Sequence, residues 1–294
     1  MSFRVKFWGA RGSRVVPGRR TLIYGGNTSC VEVRCGGHLL VLDAGSGICE
    51  LMEDLSHQAE PLCMDLLISH MHWDHVLGLP FFKPLYQARN FLFLHGANGT
   101  SYEFDTALRS LMRDSNFPVS FDDLQSQNSI RTHKAGTVFN LRDGWDSLLG
   151  IDYAAPDIQV ATHANQHPGG GIFYKITYDA KNLCYVTDTE CAPNQAGFTE
   201  SLVSFAAGCD LLIMDANYTQ EEYEGRAGGP HRRGWGHASW QDCVAVAKRA
   251  AVKGLCLFHH NAERTDTQQA LIERQAQAEF AATFAAKEGL EVFL

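Results

Sequence analysis

The sequence lacks long apolar runs and an excess of positive charge. Across its 294 residues, no stretch approaches the roughly 20 apolar positions that a helix needs to cross a bilayer. The N-terminal segment also has no apolar signal region. Lys and Arg number 25 against 33 Asp and Glu, a net charge of −8, whereas proteins that grip long nucleic acid usually carry a basic patch. We therefore expect neither a membrane nor a long nucleic acid as a partner.

Paired cysteines and linker-like segments are also missing. The nine cysteines are an odd number with no Cys-x-x-Cys spacing, and several, such as Cys63, Cys184 and Cys256, lie within apolar strand-like runs. We interpret them as reduced core residues and predict a cytoplasmic protein. No proline-rich, serine-rich or low-complexity segment divides the chain, and 45% of it is hydrophobic. A single domain over residues 1–294 is the expectation.

Short apolar runs with strand character alternate with segments of helical periodicity, which is typical of an α/β layered fold. Met64–Ser69 and Leu255–Phe258 are predicted to be strands. Leu77–Gln87 and Thr267–Lys287 have helical spacing, and the latter is predicted to be the final helix. Residues 100–150 follow no clear pattern, so we expect there an insertion that covers the substrate or contacts a second copy in a homodimer.

A histidine-rich segment directly follows the first of these strands, with the sequence Ser69-His70-Met71-His72-Trp73-Asp74-His75. Imidazole and carboxylate groups are ligands that zinc, manganese and iron accept. His70 and His72 alternate, which puts both side chains on one side of an extended segment. The turn that follows can aim Asp74 and His75 at a different point. One segment can thus serve two adjacent metal ions.

This segment resembles the His-x-His-x-Asp-His signature of the metallo-β-lactamase superfamily, and further motifs of that family match in the expected order between residues 43 and 259. The resemblance implies a four-layer αββα sandwich with two divalent metal ions, zinc first and manganese or iron as alternatives. The aspartate of Asp43-Ala44-Gly45 would support the metal loop through hydrogen bonds. Asp188 would bridge both metals, and Asp74 counts as catalytic as well as metal-binding. The implied ligands are His70, His72, Asp74, His75, His167, Asp188 and His259.

Three features narrow the chemistry within that superfamily. Histidine at His72 disfavours the redox branch, and aspartate at Asp188 disfavours β-lactam hydrolysis. The element that begins at Gly236-His237 is similar to one in the ribonuclease Z-like and phosphonate-pathway cyclic phosphodiesterases. In that branch His237 would donate a proton to the leaving alkoxide while Asp215 orients its ring. The alternative is that His237 only caps a helix beginning near Ser239.

Arginines beside glycine are candidates to hold a substrate phosphate, since the guanidinium group binds phosphate through two hydrogen bonds. They are Arg11, Arg232 and Arg233. Trp235 and Tyr223 are candidates to stack on a base. The leading hypothesis is a dinuclear metal-dependent phosphodiesterase that attacks a small anionic substrate, such as a cyclic nucleotide or other cyclic phosphate, with a metal-bridging hydroxide. A carboxylic ester, lactone or thioester hydrolase and a non-catalytic metal-containing sensor are the alternatives.

Overall fold

Two sheets, each of seven strands, form the centre of the computed structural model, which describes residues 2–56, 60–148, 156–191 and 196–294. The strands are β1 (Phe3–Gly9), β2 (Cys30–Cys35), β3 (His38–Leu42), β4 (Cys63–Leu67), β5 (Phe91–Ala97), β6 (Gln127–His133), β7 (Val138–Asn140), β8 (Gln159–Ala164), β9 (Ile172–Tyr178), β10 (Lys181–Val186), β11 (Leu211–Asp215), β12 (Leu255–Phe258), β13 (Thr283–Ala285) and β14 (Glu291–Phe293). The first sheet has the order β14-β1-β2-β3-β4-β5-β6, and the second has the order β13-β12-β11-β10-β9-β8-β7.

Helices cover the outer faces of both sheets. The helices of the described residues are α1 (Ile48–Leu55), α2 (Trp73–Val76), α3 (Phe104–Ser110), α4 (Leu141–Leu148), α5 (Ala196–Ala206), α6 (Gln220–Tyr223), α7 (Trp240–Arg249) and α8 (Asp266–Glu279). The last two begin with the same capping box. The hydroxyl of Ser239 or Thr265 accepts from the backbone N–H three residues on, and the side chain of that third residue accepts from the backbone N–H of the cap residue. Such reciprocal caps satisfy the free N–H groups of a first turn and set where a helix starts.

The core has three apolar layers. Between the sheets, Phe7 of β1 meets Phe258 of β12 with ring centroids 6.2 Å apart. On the outer face of the first sheet, α1 buries Leu51, and on the outer face of the second, α7 and α8 bury Val244 and Ile272. This arrangement confirms the predicted four-layer αββα sandwich in a single domain.

Strand direction brings the ends of several strands to one edge of the sandwich. β3 to β6 run parallel to one another in the first sheet, and β10 to β13 do so in the second. The segments that follow β3, β4, β10, β11 and β12 therefore leave the sheets on the same side. Ligands of open α/β sheets bind outside the carboxyl ends of parallel strands, so this edge is where a site is expected.

The final helix is shorter than predicted, because α8 ends at Glu279 and not near Lys287. Phe280 has extended backbone (φ −140°, ψ 100°), and the chain then turns to form β13 in parallel register with β12. The apolar residues that gave Thr267–Lys287 its helical spacing are thus divided between a helix and an edge strand. A tertiary pairing outweighs local helix propensity here.

Leu77–Gln87 is also not the predicted continuous helix. It forms two short 3₁₀ helices, Leu79–Phe81 and Lys83–Tyr86. Pro84 has no N–H with which to bond the carbonyl one turn before it, and Phe82 has extended backbone (ψ 92°), so the helix is interrupted at Phe82.

The described part of residues 100–150 belongs largely to the sandwich. α3 packs Phe104 and Leu108 against the outer face of the first sheet. β6 and β7 then form one edge strand of each sheet. This segment therefore carries the chain from one sheet to the other, and its expected contact with a substrate or with a second copy stays a prediction.

All nine cysteines are free thiols. Cys184 and Cys256 are fully buried, as expected of core residues, whereas Cys63 is half-buried at the start of β4. Among the described residues, none of the helices combines the length and the apolar character that crossing a bilayer would require.

Candidate metal centre

Three of the predicted site residues follow strands from both sheets and share an unusual backbone. Asp43 comes directly after β3, Asp188 lies two residues after β10, and His259 comes directly after β12. Their φ angles are 61°, 49° and 55°, in the left-handed region that favours glycine. Such conformations cost non-glycine residues roughly 1–3 kcal/mol and are concentrated in functional sites, where surrounding structure enforces them.

Three histidines form a first cluster of potential ligands. Nitrogen atoms of His70, His72 and His167 lie within 4.8 Å of one another, and His167 Nε2 is 2.9 Å from His72 Nδ1. The first two come from the segment after β4, and His167 comes from the loop between β8 and β9. Burial lowers the pKa of all three below the ordinary value. The rings are therefore neutral at pH 7 and keep a lone pair for a cation.

A second cluster is fully buried and contains Asp74, His75, Asp188 and His259. His259 Nε2 lies 3.0 Å from Asp74 Oδ2, and His75 Nε2 lies 3.1 Å from Asp188 Oδ1. The neighbouring His260 points elsewhere, since its Nε2 donates to a main-chain carbonyl just after β13 at 2.9 Å. Of the two adjacent histidines, His259 is the one in the cluster.

Asp188 touches both clusters with different oxygens. Its Oδ1 lies 3.1 Å from His75 Nε2 and 3.3 Å from His259 Nε2. Its Oδ2 lies 3.7 Å from both His70 Nε2 and His167 Nε2. A carboxylate in this position can bridge two neighbouring cations, which is the role that the sequence predicted for it.

The side chains present fit a pair of divalent cations. In the described part of the chain, Nε2 of His70 and Nε2 of His75 are buried without a hydrogen-bond partner. Four carboxylates around them are buried as well, and every ion pair that they make among the described residues is with histidine: Asp43, Asp74, Asp188 and Asp215. Buried negative charge is costly unless cations balance it, and imidazole with carboxylate is a donor set for zinc and its neighbours.

Asp43 makes the hydrogen bonds expected of a supporting residue. Its Oδ2 accepts from His75 Nδ1 at 2.7 Å and from the Tyr185 hydroxyl at 2.7 Å, while its Oδ1 accepts from the Ser69 backbone N–H at 2.7 Å. A proton on Nδ1 of His75 leaves the lone pair on Nε2, which faces the second cluster. Partners of this kind fix the tautomer and orientation of a metal-binding histidine.

His237 and Asp215 form a hydrogen-bonded pair beside Asp188. His237 Nδ1 donates to Asp215 Oδ2 at 2.8 Å and lies 3.8 Å from Asp188 Oδ2. Nδ1 is thus already hydrogen-bonded to Asp215, and Nε2 is the nitrogen that remains for a substrate. Burial lowers the pKa of His237, but the Asp215 carboxylate outweighs it and raises the pKa to about 9. Cations in the adjacent clusters would oppose this rise.

The alternative that His237 serves only as a helix cap is wrong. The cap of α7 is Ser239, whose Oγ accepts from the Asp242 N–H while Asp242 Oδ2 accepts from the Ser239 N–H. His237 lies outside this exchange and is tied to Asp215 instead.

A family model described as a beta-lactamase superfamily domain matches residues 38–260, which include every residue of both clusters. The chain belongs to the beta-lactamase superfamily. The prediction of that family from the histidine-rich segment and the strand-end residues is confirmed.

Relatives in this superfamily include a ribonuclease Z from Pyrococcus horikoshii, which is 29% identical over 290 residues and covers 87% of this chain and 86% of the relative. Among solved structures, a diphosphatase from the PhnP family has a TM-score of 0.68 at 16% identity, covering 99% of this chain and 97% of that one. The short form of human tRNase Z has a TM-score of 0.63 at 18% identity, with 98% of both chains covered. At such identities these two structures show a common fold.

Family and relatives together confirm the prediction of a metal-dependent hydrolase. A relative named ribonuclease Z argues against the prediction that this chain has no long nucleic acid as a partner. The predicted homodimer and cytoplasmic location stay predictions.

A cavity of about 630 Å³ opens onto both clusters of this superfamily member. It is lined by Ser13, Met71, His72, Trp73, Asp74, His167, Pro168, Asp188, Gly234, Trp235, His237 and His259. The lining contains no Lys or Arg from the described residues. The predicted phosphate clamp is therefore not built as the sequence suggested.

Arg11 is the clearest departure from that prediction. Its side chain is fully buried, and its guanidinium donates to the backbone carbonyls of Gly25, Asn261 and Arg264 at 2.8 to 3.2 Å. Arg11 thus joins the N-terminal loop to the segment before α8, and the prediction that this residue binds substrate is wrong. The partners lie up to 253 positions away in the sequence, so no local pattern could reveal them.

The other basic candidates lie outside the cavity lining. Arg232 stacks on Trp235, with its guanidinium carbon 4.5 Å from the ring centroid, and Arg233 is exposed. Tyr223, a candidate for base stacking, is buried with its hydroxyl 2.5 Å from Glu190 Oε1, so it packs and does not stack on a ligand. Trp235 lines the cavity and keeps that possibility.

Glu190 is a site residue that the sequence analysis missed. Its buried carboxylate accepts from the backbone N–H groups of Gly234 and Gly236 at 2.9 and 3.0 Å, in addition to the Tyr223 hydroxyl. Gly236 in turn accepts from His167 Nδ1 through its carbonyl at 2.9 Å. The same carboxylate therefore positions the loop before His237 and, through the single residue Gly236, a histidine of the first cluster. Its place two residues after Asp188 was the only available signal.

Gly236 is the point where this loop passes closest to the first cluster. Its φ is +80°, and a Cβ added there would lie 2.2 Å from His167 Nδ1. Any other residue would displace the histidine, so glycine is required by both backbone and space.

Glu190→Gln should lower activity by roughly 10–100-fold, the usual cost of losing a partner that orients a metal ligand. The amide NH₂ would face a backbone N–H, because both carboxylate oxygens now accept from main-chain donors. Metal titration should show weaker binding of one ion, since His167 loses its fixed carbonyl partner. The exposed Glu221→Gln in the same region is the control, and unchanged kinetics and metal affinity in Glu190→Gln would contradict the positioning role.

Proposed function

We propose that this protein is a dinuclear metal-dependent phosphodiesterase that acts on a small anionic substrate, such as a cyclic nucleotide or another cyclic phosphate. The observation that carries the proposal is the position of the His237–Asp215 pair, with His237 Nδ1 3.8 Å from the carboxylate that both clusters share. A proton donor beside two cation positions suits a reaction in which an alkoxide leaves. The PhnP-family diphosphatase and the ribonuclease Z relatives support phosphate chemistry.

When bound, two divalent cations would supply charge neutralisation at the phosphate and an acidified water. The residues of the chain hold these groups in position and donate the proton that the leaving oxygen takes up. The backbone N–H of Ser13 donates to Asp74 Oδ2 at 2.6 Å and fixes that carboxylate in the second cluster. Nε2 of His237 gives a proton to the leaving oxygen while Asp215 holds the ring in place, a contribution of roughly 10²–10⁴-fold in rate.

The size and charge of the cavity favour a small substrate over a long RNA. About 630 Å³ is within the usual range for small-molecule sites. A long polyanion needs several phosphate contacts from Lys and Arg, and the lining offers none among the described residues. Since the chain also carries a net charge of −8, we keep the small diester as the proposed substrate class.

The donor set favours zinc as the metal, since five histidines and Asp74 around the shared carboxylate of Asp188 suit its preference for nitrogen ligands with charge compensation. Manganese and iron accept the same ligand types, so metal analysis of purified protein is part of the test.

The proposal predicts that the zinc- or manganese-loaded protein hydrolyses bis-p-nitrophenyl phosphate and a 2′,3′-cyclic nucleotide. Little or no turnover is expected on a lactone, a thioester or a tRNA transcript. Steady-state kcat/KM values on this panel check the prediction. Turnover of the lactone or thioester without phosphodiester turnover would show that the reaction is carboxylic ester hydrolysis. Cleavage of tRNA without turnover of the small diesters would show that the substrate is a long RNA. Stoichiometric metal without any turnover would favour the sensor alternative.

A further inference from the structure

Two tryptophans at the cavity are far more exposed than large aromatic side chains usually are. Trp73 is 80% exposed and Trp235 is 50% exposed, and both line the cavity that contains the two ligand clusters. Exposed aromatic surface at the mouth of a polar cavity is typical of a surface that a ligand covers.

The remaining tryptophans show that exposure is specific to this place. Trp145 and Trp240 are buried in the core. The indole N–H of Trp8 donates to Glu32 Oε2 at 2.8 Å, and a lysine ammonium lies 3.8 Å from its ring centroid. Only the two cavity tryptophans, among the described residues, combine exposure with a position beside the ligand clusters.

Both tryptophans are held by the structure that forms the metal centre. Trp73 is the first residue of α2, directly between His72 and Asp74, so its backbone is fixed by two cluster residues. Trp235 lies between the two glycines whose N–H groups bind Glu190, and the guanidinium of Arg232 covers one face of its indole ring. Its other face is available to a ligand.

We propose that Trp73 and Trp235 form a subsite that stacks on a planar ring of the substrate, so that the preferred diester carries a nucleobase or a similar aromatic group. The inference rests on the proposed phosphodiesterase function and specifies its substrate class. The two indoles come from different halves of the chain, and both line the cavity. Indole faces stack on any base, so the subsite selects for a ring and not for one base.

The composition of the cavity lining supports separate contacts for the phosphate and for the aromatic ring of the substrate. With no Lys or Arg in the described lining, we expect cations held by the two clusters, together with His237, to provide the main contacts to the phosphate. The apolar contacts then come from the indoles and from Met71 and Pro168, which also line the cavity. A diester without an aromatic ring would lose these apolar contacts and keep the contacts to its phosphate.

The test compares two cyclic phosphates on the metal-loaded enzyme: 2′,3′-cyclic AMP, which carries a base, and ethylene phosphate, which does not. Trp73→Ala and Trp235→Ala should each lower kcat/KM for 2′,3′-cyclic AMP by about 10-fold or more, the usual scale of a lost base stack, chiefly through KM. Turnover of ethylene phosphate should change by less than about 2-fold on the same scale. Trp73→Phe and Trp235→Phe should restore most of the loss, and Leu271→Ala, which removes an exposed apolar side chain of α8, is the matched control.

A binding measurement keeps the inference independent of turnover. AMP should quench the tryptophan fluorescence of the metal-loaded protein, and ribose 5-phosphate should not. Equal losses on both cyclic phosphates in the Trp→Ala variants would overturn the ring subsite and leave the phosphodiesterase proposal standing. If neither cyclic phosphate is hydrolysed, the proposed function fails, and the AMP affinity of Trp73→Ala and Trp235→Ala then decides the subsite: unchanged affinity overturns it.

Discussion

Asp188→Asn is expected to abolish binding of the metal pair and to lower kcat/KM by roughly 10⁴-fold or more, the range seen when one member of a catalytic unit is removed. Asp188 is the only residue whose two oxygens face both clusters, with contacts of 3.1 to 3.7 Å to four histidines in the described structure. An amide keeps the shape but loses the charge and one acceptor oxygen. Metal content by elemental analysis and kinetics on bis-p-nitrophenyl phosphate check the result.

Asparagine is a better choice than alanine at this position. The φ of Asp188 is 49°, a left-handed conformation that Asn adopts at least as readily as Asp. Alanine would add backbone strain of order 1 kcal/mol and confuse a folding defect with loss of a ligand. Far-ultraviolet circular dichroism should therefore match that of the metal-depleted parent. Two tightly bound ions and normal turnover in Asp188→Asn would refute the bridging role.

His237→Ala is expected to keep both metal ions and to lose roughly 10²–10⁴-fold in rate, the usual range for a missing general acid. The Nδ1–H of His237 donates to Asp215, so this nitrogen has no lone pair left for a cation, which is why metal content should not change. The loss should depend on the leaving group. An alkoxide needs the proton and should show the full effect, whereas p-nitrophenolate leaves without one and should show little.

The leaving-group comparison separates proton donation from a structural role, because a general disturbance of the site would slow both substrates alike. His231→Ala is the matched control, as His231 is exposed in the same loop and does not line the cavity. Equal slowing on alkyl and nitrophenyl diesters in His237→Ala would contradict the assignment of His237 as the acid.

Most members of the ligand clusters could be anticipated because they follow an apolar strand or lie in one short segment, whereas His167 was predicted from the family resemblance. His70 follows β4 and His259 follows β12, and buried strands are visible in the sequence as apolar runs. Parallel strands then bring these ends to one edge without any knowledge of side-chain contacts. Position relative to a strand was therefore sufficient to select His259 over His260.

The supporting contacts could not be anticipated, because they depend on pairs of residues distant in sequence. Arg11 looked like a phosphate ligand because of its glycine neighbours, yet two of its three carbonyl partners lie about 250 residues away in the sequence. Glu190 binds a loop 44 to 46 positions downstream. The strand at Thr283–Ala285 exists because β12 is available beside it, a circumstance that its own helix-forming composition does not record.

The chain of hydrogen bonds from Glu190 through Gly236 to His167 joins two events that are chemically separate. Closing the substrate pocket requires the loop with Trp235 and His237 to be ordered, and holding the first cation requires His167 to be oriented. Because one buried carboxylate serves both requirements, the two binding equilibria are thermodynamically linked, and the linkage is reciprocal. We therefore expect a substrate that orders the loop to increase metal affinity, and metal to raise the affinity for substrate by the same factor, so that the metal-depleted protein binds substrate more weakly.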